Sequence, residues 1–317
     1  MRFLVRKLLR LVFVVIAVTV LTFLMVNLLP GDVAYLFAGL DASAAEVEAI
    51  RQDLGLDRPL VVRYLEWVTN LLQGDMGLSY RTSEPVAEAI LSRLPVTIEL
   101  MVLAQVAAIG LAVPLGVLCA YRQNRWVDKV VTLAGFAMIS IPPFVMALIL
   151  IFVFALRLGI LPATGYTPLS EGLWDNLRTF ILPALSIALI EWVTLMRLLR
   201  NDMIVTLQED YIAMARAKGL PTWHILLRHA LRPSSFSLIT ILGIQVGALI
   251  GGTLIIESLF ALPGVGRLLL IGIFSRDYMI VQGCILFIAV AYVLINFLVD
   301  LAYSMLDPRI RVEGRGG

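Results

Sequence analysis

Apolar residues gather into six long runs, at about residues 9–29, 96–120, 130–156, 180–196, 236–256 and 281–303, with polar stretches between them. A hydrocarbon core about 30 Å thick is crossed by about 20 helical residues rising about 1.5 Å each, so each run predicts a membrane-spanning helix. Arg2, Arg6, Lys7 and Arg10 stand at the start of the first run, as in a secretory leader. Its apolar stretch exceeds the roughly 7–15 residues of a leader, however, and the small triplet Ala42-Ser43-Ala44 lies too far downstream for ordinary cleavage. The expectation is a retained anchor helix in an all-α membrane protein of six spans.

Composition agrees. Of 317 residues, 60% are apolar and 15% charged, with a mean hydropathy of +0.93, whereas a soluble domain carries about 25% charged residues. If the amino terminus is inside and the spans alternate, 16 Lys and Arg fall on inner segments and 9 on outer ones, as the positive-inside rule requires. Acids fall the other way, 14 outside against 6 inside, with Glu99, Glu191 and Asp300 within or at the edges of spans. Both termini are expected on the cytoplasmic side. A net charge of +2 with dispersed basic residues gives no nucleic-acid-binding stripe. Cys119 and Cys284 sit in separate apolar runs, without metal or redox spacing, and read as small buried hydrophobes.

The outer segment, residues 30–95, holds helical patches at 44–54 and 59–72. In the second, Leu60, Tyr64, Trp67, Val68 and Leu71 recur at helical spacing opposite Arg63, Glu66 and Asn70, which makes an amphipathic helix. It would lie on the membrane, roof the outer mouth or pack against its own domain. A cysteine placed at Ser79 in this segment is expected to react from outside, and one at Thr222 is not. Residues 268–274 are apolar but too short to cross, and they follow Pro263-Gly264-Val265-Gly266, which predicts a re-entrant or interfacial turn and helix. Prolines interrupt three spans, at Pro114, at Pro142 with Pro143, and at Pro183, and each favours a kink.

The inner segment, residues 197–235, reads as two short helices and a turn. The first, 209–218, sets Ala213 and Ala217 four apart on one face, where another surface can come close to the backbone. Gly219 stops it, because glycine accepts the left-handed conformation of a helix end. Pro221 fits the first turn of the second helix, whose apolar face would be Trp223, Leu226, Leu227 and Ala230, with Pro233 ending it. A small-faced helix on a hydrophobic strut suits docking of a cytosolic motor; an ordinary loop helix lying on the membrane has the same spacing.

The run Tyr211-Ile212-Ala213-Met214-Ala215-Arg216-Ala217-Lys218-Gly219-Leu220, followed by Arg228-His229-Ala230-Leu231-Arg232-Pro233, resembles the loop by which permeases of ABC importers engage their ATPases. It departs from the general Glu-Ala-Ala consensus at Ala213 and Met214 and is similar to the Ala-Arg-Ala-Lys-Gly variant of peptide and nickel permeases. The likeness extends in order through Leu29-Pro30-Gly31-Asp32, Leu54-Gly55-Leu56-Asp57-Arg58-Pro59, Gly74-Asp75-Met76-Gly77, the stretch Arg93 to Leu100, Glu257 to Phe260 and Leu306-Asp307-Pro308-Arg309-Ile310-Arg311. Met279 stands where the family often has proline after its Arg-Asp-Tyr step.

This resemblance, to the B-type subunit of a B and C permease pair, implies a type I importer fold in a bacterial inner membrane. Residues 1–95 would form the anchor helix and outer segment, 96–305 the transport core with coupling loop 197–235, and 306–317 a cytoplasmic tail. It implies a C-type permease partner, two ATP-binding subunits that carry ATP and Mg, and an extracytoplasmic solute-binding protein, with lipid around the spans. Tyr211, Ala213, Ala215, Ala217, Gly219 and Leu220 would couple to the ATPase. Pro263, Gly264 and Gly266 would form an outer gate loop. The chain itself has no Gly-rich loop ending in Gly-Lys-Ser or Gly-Lys-Thr, so no catalytic residue, metal or cofactor is assigned to it.

Glu191 and Gln245 are the substrate-path candidates. Glu191 lies about 16 Å along the fourth span, where an unpaired carboxylate costs about 2.5–3.5 kcal/mol, so it should face the pathway or a partner. It would hydrogen-bond to Gln245 or to the partner chain, or offer a negative group to a cationic substrate. An ion-coupled secondary transporter is the competing class, with Glu191 its one deep acid. An intramembrane enzyme has less support, since both histidines, His224 and His229, lie in the inner loop. The absence of histidine from spans and outer segments argues against a nickel-dedicated path.

Overall fold

A computed structural model of the chain describes residues 2–28, 34, 42–53 and 55–306. The family-like Leu29-Pro30-Gly31-Asp32, Leu54 and residues 307–317 lie outside the described residues. Twelve helices are described: α1 Arg2–Leu28, α2 Ala44–Asp53, α3 Leu60–Leu72, α4 Val86–Tyr121, α5 Trp126–Ile139, α6 Pro143–Arg157, α7 Leu173–Thr206, α8 Asp210–Ala217, α9 Thr222–Gly252, α10 Leu254–Leu259, α11 Val265–Phe274 and α12 Tyr278–Leu306. The final turns of α6, Ile151–Arg157, and the early turns of α9, Ile225–Ala230, are π-helical.

Four helices, α4, α7, α9 and α12, are each long and apolar enough to cross a membrane. The first predicted run lies on the 27-residue α1. The third expected span is not one rod. It breaks into α5 and α6, bent by 102°. Here the two proline sites within long helices differ instructively from the doublet. Pro183 lies inside α7, and Pro114 inside α4, without ending either. At the doublet, Pro143 bars Pro142 from helical geometry and holds it extended, at φ −59° and ψ 147°, and then opens α6 as its first residue. A lone proline costs a helix one hydrogen bond and disfavours helical geometry in the residue before it; at the doublet that residue is itself a proline, so two successive amides are missing as well.

The chain divides into two compact units. The first comprises Met1–Pro95 with Val265–Leu294. Ser43 and Glu46 cap α2 reciprocally: the Ser43 amide donates to Glu46 Oε2 at 2.8 Å, and the Glu46 amide approaches Ser43 Oγ at 3.4 Å. Helix α3 docks on α1, with Phe23 edge-on to Tyr64 at 5.4 Å, stacked on Trp67 at 6.1 Å, and Thr19 Oγ1 3.0 Å from the Tyr64 hydroxyl. Of the three placements the sequence left open for this helix, packing on its own domain accounts for the Tyr64 and Trp67 face.

Ser79, expected to be reachable from outside, is buried instead. Its hydroxyl donates to the buried carboxylate of Asp277 at 2.5 Å, and the amides of Tyr80 and Ile280 approach the other carboxylate oxygen at 3.3 Å. Met279 fills the space over Gly77, whose φ of +84° and lack of a side chain both suit the close turn.

The second unit comprises Val96–Gly264 with Ile295–Gly317. Its core is built on α7, where Trp192, Leu195, Met196 and Leu199 are buried with Ala108 and Ala112 of α4 and Leu238 of α9. Small residues let the helices approach. A side chain on Gly135 of α5 would press on Val193, and one on Gly116 of α4 would press on the Met196 carbonyl.

Candidate functional site

The inner segment folds around α8. Glu209 is extended at its start and Lys218 caps its end. Gly219 then reverses the chain at φ +76°, as glycine there predicts. Ile212 and Ala215 are buried against Ile225, with Leu207 and Leu220 packed alongside. Tyr211, Ala213, Met214 and Ala217 face outward. Among the coupling candidates, Ala215 and Leu220 therefore seat the helix on its own unit, and the small residues on the free surface are Ala213 and Ala217.

The strut differs from its expected form in two respects. Pro233 does not end the second helix, which runs on as α9 to Gly252. The amide that Pro233 lacks would have bonded the His229 carbonyl, and the Tyr211 hydroxyl comes within 3.5 Å of that oxygen. The buried stripe is also not the expected one. Ile225 and Ala230 are buried, while Trp223 and Leu227 are 64% and 53% exposed. The five-residue step between the buried pair follows from the π turns, which are wider than the 3.6-residue period assumed from spacing.

Two polar ties fix the α8 end of the unit. Thr206 Oγ1 at the end of α7 lies 2.9 Å from Ser234 Oγ in α9. One turn and more earlier, Arg200 donates through Nε and Nη2 to both oxygens of Asp128 in α5, each at 2.6 Å. The Asn124 amide adds a third bond to Asp128, at 2.9 Å. Asp128 is 3% exposed and the Arg200 side chain 20%. Beside this pair, the Arg197 guanidinium lies 4.7 Å from the Phe136 ring centroid. Asp128 is one of the six acids counted on the expected inner segments, and nothing in its spacing points to a partner 72 residues away.

Glu191 faces into the unit from α7. Its partner is Gln105 of α4, whose Nε2 donates to Glu191 Oε2 at 2.6 Å, and not the expected Gln245. Gln105 Oε1, the neighbouring Trp192 Nε1 and, on α9, Gln245 Oε1 are buried without hydrogen-bond partners. Such groups in an apolar setting call for a partner supplied from elsewhere.

The loop at Pro263 and Gly264 is held by a third acid. Glu257 of α10 is fully buried and accepts from Thr97 and Thr253, both at 2.9 Å. Its carboxylate lies against Gly264, where any Cβ would overlap it. The Leu262 amide returns to the Glu257 carbonyl at 2.8 Å, and Ala261 takes a left-handed φ of +57°. Of the gate-loop candidates, Gly264 is thus required by close approach, Pro263 is half-buried beside it, and Gly266 is buried at the start of α11.

A polytopic helical chain with a short, small-faced helix between two of its long ones and no nucleotide-binding loop is the architecture of a translocation subunit. Comparison with known proteins agrees. Residues 112–312 match the model of the binding-protein-dependent transport system inner membrane component, and residues 1–101 match the N-terminal model of the same kind of membrane component. A putative peptide transport system permease protein of Brucella abortus (strain 2308) is 42% identical over 300 residues, 95% of this chain and 96% of its own. The glutathione transport system permease protein GsiC of Escherichia coli (strain K12) is 37% identical over 313 residues, 99% of this chain and 100% of its own. The chain belongs to the binding-protein-dependent transport system inner membrane component family. It is a multi-pass inner-membrane permease subunit of an ABC importer, not itself an enzyme.

Proposed function

We propose that this permease moves peptide-like solutes inward by alternating access, in a complex with a C-type permease, two ATPase subunits holding ATP and Mg, and an extracytoplasmic solute-binding protein. The observation that carries the reading is α8: a short helix seated by Ile212 and Ala215, presenting Ala213 and Ala217 outward, and ended by a left-handed Gly219. A groove on an ATPase would receive that small face, and both termini would be cytoplasmic. Motion of α8 would pass to α7 and α9 together through Thr206 and Ser234, and to α5 through Arg200 and Asp128. Full-length relatives named for peptide and glutathione transport support the peptide-like cargo. Within the path, Glu191 and the unpaired amide oxygen of Gln245 would meet the polar backbone or amino groups of such a solute.

Gly219→Val tests the coupling. Space around Gly219 is open, so the change acts through backbone conformation alone, at a cost of about 1–2 kcal/mol for a left-handed residue. The variant is expected to insert and assemble while losing substrate-stimulated ATP hydrolysis and uptake in reconstituted complexes; unchanged coupling would remove α8 from this role. The orientation is checked by single cysteines at the exposed positions Thr82 and Thr222. An impermeant maleimide is expected to label Thr82→Cys from outside and Thr222→Cys only after permeabilisation.

A further inference from the structure

Helix α3 carries more apolar surface than its contact with α1 uses. Tyr64, Trp67 and Leu71 turn toward α1 and are half-buried. A neighbouring stripe at i, i+4 and i+11, Val61, Leu65 and Leu72, is 69%, 57% and 85% exposed. The polar side, Glu66 with Asn70 one turn on, lies opposite, and Glu66 holds Arg58 at 2.7 Å in an exposed ion pair. The apolar arc therefore covers close to half the helix circumference, and among the described residues it is the Tyr64 and Trp67 side of it that meets protein.

Contact with α1 sets the depth. Phe23 lies five residues before the end of α1 at Leu28, hence about 7–8 Å along a helix rising about 1.5 Å per residue. That is the level of the headgroup and acyl-chain boundary, at which interfacial amphipathic helices bury their apolar faces about 5–10 Å deep. Tyr64 and Trp67 are the residue types enriched there. Helix α1 itself exposes Leu21 and Met25, at 58% and 65%, on the side away from Phe23.

We infer that α3 is a lipid-embedded interfacial helix, which inserts Val61, Leu65 and Leu72 into the acyl chains of the leaflet that α1 reaches at Leu28 and keeps Glu66 and Asn70 in water. The occupant of the stripe is lipid rather than protein because the depth fixed by Phe23 places it where acyl chains begin. The outer segment is then tethered to the bilayer by α3 as well as by α1.

The test uses the assembled complex with its solute-binding protein, reconstituted in phosphatidylcholine and phosphatidylglycerol vesicles, with spin labels on single cysteines at positions 61, 65, 72, 66 and 70. Labels at 61, 65 and 72 are expected to be relaxed by oxygen more than by a water-soluble nickel chelate, giving a positive depth parameter, and those at 66 and 70 to show the reverse sign. Labels at 65 and 72 shielded from both reagents would mean that a partner protein covers the stripe, and nickel access at these positions would mean that it stands in water. Either result overturns the assignment. The substitutions lie on the exposed surface, and uptake by each labelled complex confirms that it is assembled.

Discussion

Asp128 and Glu191 are both acids within the same unit, one in the first turn of α5 and one within the long α7, and the protein treats them differently. Asp128 has both oxygens engaged by one guanidinium and a backbone amide besides. Glu191 has a single amide partner, and that partner has its own oxygen unpaired. A charge fully bonded by its own chain has nothing to offer a ligand, and its removal leaves Arg200 stranded. A charge held by one neutral donor keeps acceptor capacity, which suits an incoming cation. The first arrangement fixes helices; the second leaves a group available.

The comparison can be broken at the larger effect first. Asp128→Ala should destabilise the permease by about 3 kcal/mol, the lower end for breaking a buried pair because Arg200 retains some solvent contact. Thermal unfolding of the purified complex in detergent measures it. The double variant Asp128→Ala with Arg200→Met should recover much of the loss, since no charge is then left unpaired; equal loss in single and double variants would show that the pair is not what holds α5 to α7. Glu191→Gln should leave assembly and melting unchanged and weaken uptake of lysine- or arginine-containing peptides by about tenfold, equivalent to about 1.4 kcal/mol, with neutral peptides little affected. Equal loss for both cargoes would make Glu191 structural, like Asp128.

A third acid extends the series to water. Glu46 is fully exposed, and its hydrogen bonds from the Ser43 amide and hydroxyl hold its carboxyl below the usual carboxylate range. With the folded value lowered, the cap is in place above the unfolded value and is lost as pH falls through the folded one. Amide exchange in α2 should therefore quicken at acid pH relative to neighbouring helices, and Glu46→Gln should remove that dependence. The effect is the smallest of the set and should not reach the global melting temperature.

The sequence made some of this legible for definite reasons. Long apolar runs mark spans because the bilayer demands backbone bonds within each segment. Gly219 marked a chain reversal because few other residues accept its conformation. The buried stripe of α9 was misread because periodicity assumes an α-helix, and the turns at Ile225–Ala230 are π. Partners across the fold were not readable at all. Glu191 looked equally suited to Gln245, and only packing of α4 on α7 brings Gln105 to it. Ser79 sits in a polar loop whose composition predicts exposure, and its burial follows from Asp277, nearly 200 residues on. The proline doublet announced a kink in one span, but its breaking into two helices bent by 102° belongs to the structure.

The wide turns at the start of α9 have a rotational consequence. A π stretch is an α-helix that has absorbed an added residue locally, without passing the change along. Each residue in an ordinary helix carries about 100° of azimuth. Removing one residue from within Ile225–Ala230 would leave the rest of α9 facing as it does now, whereas winding the same residues as a regular α-helix, with no π turn to absorb one of them, would turn everything beyond them by about that amount relative to Pro221. Leu238 and Gly243, which now meet α7 and Val299, would be swung toward a different neighbour. The six residues of that stretch thus act as an angular spacer, setting which side of a 22-residue rod looks into its own unit once α8 has been placed.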